Sequence, residues 1–262
     1  MKKTIRLIIT DLDESLLTRD NRMPDENLRT LKAAQEAGIP VTLASGRMFR
    51  AMLPAAQKLD LRLPLVAYNG AMIRDPQGER TIRFHQGLGE EQSRQLLEIL
   101  HAQGAHIQGY LDDELYVERD DNRTAGYAKK DIDSYHVVPS LSSQRPGFTK
   151  LLIIEEDPEK MKAIRRACSV VEGVGIVQSS AIYCEFLSGK INKGTGLEFL
   201  CRYLQIDPAQ VLAFGDQEND IPLLKTAGIG IAMGNAVQAL KDAADDIAPP
   251  VEEAGLARMV RK

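Results

Sequence analysis

An α/β fold, built on a doubly wound parallel sheet and interrupted by an α+β insert, is the architecture this sequence predicts. Three observations predict it: short apolar runs alternate with amphipathic stretches of helical period, each run stops abruptly in polar or glycine residues, and the alternation lapses mid-chain before resuming. Strands buried on both faces read as continuous apolar runs, and the helices between them cover those faces.

The first run is Ile5 to Thr10, and PDENLRTLKAAQEAG after it sets Leu28, Leu31 and Ala34 on one helical face ahead of Gly38. Ile39 to Leu43 is the second strand, Phe49 to Leu59 a helix, and LPLVAYNGA a third strand of the same sheet. The rhythm changes after Tyr68. AMIRDPQGERTIRFH reads as a hairpin around Pro-Gln-Gly, and EEQSRQLLEILHAQG starts a helix. Short strands come next at Leu115 to Val117, Lys150 to Ile154, Gly175 to Gln178 and Ile182 to Phe186, with one more helix from Pro158 to Val171; SLSSQRPG reads as an exposed loop. The parallel pattern returns with a helix from about Gly194 to Leu204, the strand VLAF, a helix from Asp220, the strand IGIAM and a final pair of short elements. Residues 1–83 and 189–262 are therefore expected to form one core and 84–188 a separate insert, with a cleft between the two as the natural ligand site.

With 262 residues, 44% of them hydrophobic, the chain can bury a proper core. A net charge of -4 without a dense Lys/Arg block speaks against nucleic acid and for a small-molecule partner. Cys168, Cys184 and Cys201 are odd in number and widely spaced, which argues against a disulfide framework and fits a reducing, cytoplasmic setting. Lys2 and Lys3 precede an apolar run too short for a signal sequence, and no run reaches the length of a membrane span.

Ligands of such sheets bind beyond the carboxyl ends of the strands. Asp11, Asp13 and Glu14 stand at the end of the first strand, Ser45, Gly46 and Arg47 at the second, Asn69 and Gly70 at the third, and Asp216, Glu218, Asn219 and Asp220 after VLAF. DLD alone is compatible with a turn, and Asp220 with an N-cap. Several carboxylates gathered at one edge repel one another unless a cation sits among them, and oxygen-only ligation favours magnesium. Lys193 opposes the dipole of the helix it starts, so it is either tied to an anion or solvated, with Lys190 as the neighbouring alternative. Ser45 and Gly46 offer a hydroxyl and N–H groups to a phosphate, or Ser45 is an ordinary N-cap. Together these parts describe phosphoryl transfer with a carboxylate nucleophile.

DLDESLL, ASGR, the Lys193-Gly pair and GDQEND resemble the four motifs of the haloacid dehalogenase superfamily, and YNGA with AMGNA resembles its Cof-type phosphatases with a subclass IIB cap. The resemblance implies a Rossmann-like catalytic core and a cap that sets specificity. It implies that Asp11 is the nucleophile, Asp13 the general acid and base, and Ser45 and Lys193 the holders of the phosphoryl group. Magnesium would lie on Asp11, Asp216 and the carbonyl of Asp13, with Asp220 supporting through a water and Asn219 assisting; Gly46, Arg47 and Asn69 would line the substrate side. Glu14 departs from the family's usual glycine, and Ser15 keeps the hydroxyl of its usual threonine. A strict need for positive φ is not expected at Glu14, and its side chain is expected to point away from the chemistry. The leading expectation is a magnesium-dependent phosphatase of small phosphate esters, sugar phosphates above all; a phosphotransferase or mutase and an idle binding protein are the alternatives. His106, Tyr110, Asp112 and Tyr183 are insert residues that either meet substrate or only pack, and monomer and homodimer fit the sequence equally. The crossings near 84 and 189 are expected to hinge, which a change in scattering radius with a phosphate mimic would register.

Overall fold

The computed structural model describes residues 4–128, 134–178 and 180–262, so Lys2 and Lys3 lie outside the described residues. The chain divides into two compact units, one of Met1–Phe84 with Asn192–Lys262 and one of His85–Ile191. In chain order the elements are β1 (Leu7–Thr10), α1 (Asp25–Glu36), β2 (Val41–Leu43), α2 (Phe49–Lys58), β3 (Leu65–Ala67), β4 (Met72–Arg74) and β5 (Ile82–His85). Next come α3 (Glu90–Ala102), β6 (His106–Leu111), β7 (Glu114–Val117), α4 (Asn122–Ala128), β8 (His136–Val137), β9 (Lys150–Ile154), α5 (Pro158–Cys168), β10 (Val174–Gln178) and β11 (Tyr183–Ser188). The first unit resumes with α6 (Lys193–Leu204), β12 (Val211–Gly215), α7 (Ile221–Thr226), β13 (Ile229–Ala232), α8 (Gln238–Ala243), β14 (Asp246–Ile247) and α9 (Gly255–Val260).

The first unit centres on a sheet of order β14-β13-β12-β1-β2 with every neighbouring pair parallel. All four residues of β1 and all five of β12 are buried, the reason both read as unbroken apolar runs. Register then places the acids. Leu7 lies opposite Val211 and Thr10 opposite Phe214, so the chain leaves both strands at the same edge, carrying Asp11 from one and Asp216 from the other.

Two expectations are corrected in this unit. β3 runs parallel beside β2 but joins it only through one parallel bridge, Ala44 with Val66, and its full ladder lies in a small sheet of order β3-β4-β5. In the turn after it Tyr68 and Asn69 take left-handed backbone, φ 52° and 55°, and the chain returns as antiparallel β4. The buried face of α1 holds Asn27, Thr30, Leu31 and Ala34, with Leu28 only half-buried. Asn27 Oδ1 accepts the Ala257 N–H at 3.1 Å and Thr30 Oγ1 accepts from Arg261 at 2.6 Å, so the polar residues of that face anchor α9.

The second unit is a six-stranded sheet of order β10-β11-β9-β6-β7-β8. Leu96, Leu97 and Leu100 of α3 and Met161, Ile164 and Cys168 of α5 join Ile107, Leu151, Ile153, Cys184 and Phe186 in its apolar core. β6, between β9 and β7, is a strand absent from the sequence expectation; all six of its residues are buried, His106, Gln108 and Tyr110 among them. The expected exposed loop SLSSQRPG is partly anchored, since Leu141 within it is fully buried. His106 Nε2 lies 3.0 Å from Asp121 Oδ1, Tyr110 donates its hydroxyl to Tyr127 at 2.7 Å, Asp112 pairs with Arg145, and Tyr183 meets the edge of the Tyr127 ring at 5.2 Å. Among the described residues no helix is long and apolar enough to cross a membrane.

Candidate active site

At the carboxyl edge of the parallel sheet the side chains of Asp11, Lys193, Asp216 and Asp220 are all buried. Lys193 starts α6, where Asn192 caps the helix by accepting the Thr195 N–H at 3.0 Å. A buried ammonium at a helix N-terminus is doubly unfavourable and needs anions beside it. It has two: Lys193 Nζ lies 2.6 Å from Asp11 Oδ1 and 2.5 Å from Asp220 Oδ1. Lys190, the alternative, is exposed.

Asp220 stands at the N-cap position of α7, as its place suggested, but its side chain does other work. Its side chain makes no cap to α7; Oδ2 instead accepts the N–H groups of Asp216 at 3.0 Å and Gln217 at 3.1 Å, folding GDQEND back on itself. Gly215 permits this, because a Cβ there would fall 2.5 Å from the Asp220 Cβ. Asp216 in turn accepts from Ser15 Oγ at 3.3 Å and from Gln217 Nε2 at 3.0 Å.

Three acids crowd one lysine, and the imbalance shifts their ionisation. Burial, then the charges of Asp11 and Asp220, push the Asp216 carboxyl up to about 9. Burial also raises Asp11, to about 7, against the lowering pull of Lys193. Lys193 goes the other way: burial would discharge it, but Asp11 and Asp220 outweigh that and hold it above the ordinary lysine range. One ligand oxygen each from Asp11, Asp216 and Asp220 lies within 4.8 Å of the others. A hard divalent cation fits this all-oxygen, over-acidic set and would hold the carboxyls ionised.

The rest of the edge is built from loops. Ser45, 1% exposed, follows β2 and accepts the Arg47 N–H on Oγ at 3.2 Å; α2 begins later, with Met48 at its cap, so Ser45 is not an N-cap. Gly46 sits against Asn69, whose Oδ1 accepts from Asn219 Nδ2 at 2.9 Å, joining the loops after β3 and β12. Arg47 Nε donates to Asp13 Oδ2 at 2.8 Å, and its Nη2 reaches Asp13 Oδ1 and Asn21. The Asp13 carboxylate is 56% exposed and stands outside the buried acidic cluster. Glu218 is exposed as well. Sequence patterns gave Asn21 and Gln217 no role and Ser15 only a hydroxyl; the signal for Gln217 was its place between the acids it bonds.

Glu14 corrects an expectation. Its φ is 52°, in the left-handed region where glycine is at ease, so the position does take positive φ and the glutamate is held there at a cost. Its carboxylate is 40% exposed and reaches Arg19 at 3.9 Å. Glu14→Gly is expected to raise stability by about 0.5–1 kcal/mol in urea unfolding and to leave kcat/KM within about threefold; a large gain in kcat/KM would show that the carboxylate obstructs substrate.

A buried lysine clamped between acids that close on a cation site is the equipment of a group-transfer enzyme working on anions. Residues 8–260 match the family model described as haloacid dehalogenase-like hydrolase. Over 98% of its length the chain is 28% identical to 96% of the 5-amino-6-(5-phospho-D-ribitylamino)uracil phosphatase YitU of Bacillus subtilis. A solved haloacid dehalogenase-like hydrolase of Bacteroides thetaiotaomicron, 27% identical, superposes with a TM-score of 0.89 over 98% of this chain and 99% of its own. The fold is also that of the subclass IIB sugar phosphatase BT4131, at 20% identity, a TM-score of 0.86 and 98% coverage of both chains. The chain belongs to the haloacid dehalogenase-like hydrolases. Within that family it is a phosphatase of the Cof type.

Proposed function

We propose that this phosphatase hydrolyses small phosphorylated metabolites, sugar and alditol phosphates first among them, with Mg2+ and through a phosphorylated Asp11. The observation that carries the reading is the buried Asp11 carboxylate, pinned by Lys193 on one oxygen and facing Asp216 across a space that fits a cation. The related Bacillus subtilis phosphatase, named for a phosphorylated ribityl compound, supports the substrate class.

Asp11 attacks phosphorus, the bond to the ester oxygen breaks, and Asp13 gives that oxygen its proton. Asp13 then takes a proton from water, which attacks the same phosphorus and breaks the bond to Asp11, freeing inorganic phosphate. The Ser45 hydroxyl, the Gly46 N–H and the Lys193 ammonium hold the phosphoryl oxygens, and Asn219 keeps Asn69 against that loop. Arg47, which pairs with Asp13, supplies charge on the substrate side. Asp11, Asp216, the Asp13 carbonyl and, through water, Asp220 would hold the magnesium, which neutralises charge on the phosphoryl group. Residues 1–83 and 189–262 carry this chemistry, and 84–188 recognise the alcohol that leaves.

The test is phosphate release from sugar phosphates, nucleotides and p-nitrophenyl phosphate, with Mg2+ and with chelator. Turnover that vanishes in chelator and returns with Mg2+ is expected; transfer to an acceptor without release would favour the phosphotransferase reading. The raised carboxyls add a pH signature. Their folded-state values lie above the usual 3.8, so the metal-free protein loses stability as pH climbs from about 4 toward 9. Bound Mg2+ displaces those protons, so the gain in Tm on adding it is expected to be larger at pH 8.5 than at pH 6. An equal or smaller gain at pH 8.5 would sink the cation assignment.

A further inference from the structure

The stretch AMGNA, Ala232 to Ala236, leaves β13 at the same sheet edge as the acids, and the phosphatase chemistry gives it no task. Three groups in it and just beyond it reach the loops that carry those acids. The Met233 N–H donates to the Gly215 carbonyl and the Val237 N–H to the Asp216 carbonyl, both at 2.9 Å. Half-buried Asn235 supplies the third: Nδ2 donates to the Glu14 carbonyl at 2.7 Å, while Oδ1 accepts the Val251 N–H at 3.0 Å.

We infer that Asn235 is a positioning residue that fixes the Asp11–Ser15 loop, and through it the placing of Asp13 and of the cation site. Glu14 holds left-handed backbone against its own preference, so the turn between Asp13 and Ser15 needs an outside restraint. Other ties enter this loop: Ser15 Oγ bonds Asp216, and Leu16 and Leu17 donate back to the Leu12 carbonyl. The Asn235 bond differs in fixing the orientation of the Glu14–Ser15 peptide itself. It also comes from the segment that holds Asp216, so one short stretch sets both acid-bearing loops against each other. A carboxylate that must meet a cation or a phosphorus loses rate steeply when displaced by about 1 Å. The inference rests on the proposed function for its kinetic consequence, not for its structural one.

Two variants separate the two bonds of Asn235. Asn235→Asp keeps an oxygen for Val251 and sets a second oxygen against the Glu14 carbonyl, removing that bond and adding repulsion; Asn235→Ala removes both. Both variants are expected to speed amide exchange of the peptide spanning residues 11–17 in metal-free protein, read by mass spectrometry. Both are expected to lower kcat on p-nitrophenyl phosphate about 10–100-fold and to raise the Mg2+ concentration giving half activity by a similar factor, with KM little changed. Asn235→Asp with wild-type exchange and wild-type kcat would overturn the inference and leave Asn235 as the partner of Val251 alone. Faster exchange in both variants with no turnover by the wild type would instead count against the phosphatase reading and leave the positioning role standing.

Discussion

Asp11→Asn is expected to lower kcat on p-nitrophenyl phosphate by at least ~10^4-fold while the protein stays folded. The amide matches the carboxylate in shape but cannot attack phosphorus, and the covalent route closes. Folding is spared for an electrostatic reason. Asp11 sits buried, and its carboxyl is already pushed up by that burial and by the charges of Asp220 and Asp13; Lys193 keeps Asp220 as an anion at 2.5 Å when Asp11 is neutralised. The Tm of the metal-free variant at pH 8 should therefore equal or exceed that of the wild type. Activity within about tenfold of wild type would exclude Asp11 as nucleophile.

The second large effect is on stability. Lys193→Met removes the cation from a site 1% exposed and leaves Asp11 and Asp220 buried without it. Breaking a buried pair from one side costs about 3–5 kcal/mol, so urea unfolding of the metal-free protein near pH 7.5 should shift by that amount, and phosphatase activity should vanish with it. Lys193→Arg is not expected to restore either, since a planar fork cannot stand in for a point charge between two single oxygens. Adding Asp220→Asn to Lys193→Met should return part of the lost stability, because the two side chains are coupled. Strict additivity of the two losses would mean the contact at 2.5 Å carries no energy.

These effects bear on what the sequence made legible. β1 and β12 are buried throughout and β13 in all but its first residue, so burial had to be written as apolar runs, and the acids closing β1 and β12 stand where those runs stop. What stayed hidden depends on contacts distant in sequence. Asn27 looks like a solvent residue of α1 until Ala257, 230 positions on, donates to it. β6 hides because its polar residues are buried too: His106 against Asp121, Tyr110 against Tyr127. The turn from β3 into antiparallel β4 uses two left-handed residues, one of them a tyrosine, which composition does not announce. Asp220 was recognisable as an acid of the cluster, but its grip on the Asp216 and Gln217 amides needed the folded loop.

The pairing of Leu7 with Val211 also sets an order of events. During synthesis β1 and β2 are made early, while β12, which closes the other side of β1, is made only after His85–Ile191, a unit of mostly neighbouring antiparallel strands. Local pairings form first and distant parallel ones last. Asp11 thus waits, without Lys193, Asp216 or Asp220, until the chain has been made past residue 220, and before that point there is no assembled pocket in which to trap a cation or a phosphate ester. The distance in sequence between the acids works as a check on order: the acidic edge comes into being only after the unit between them has been made.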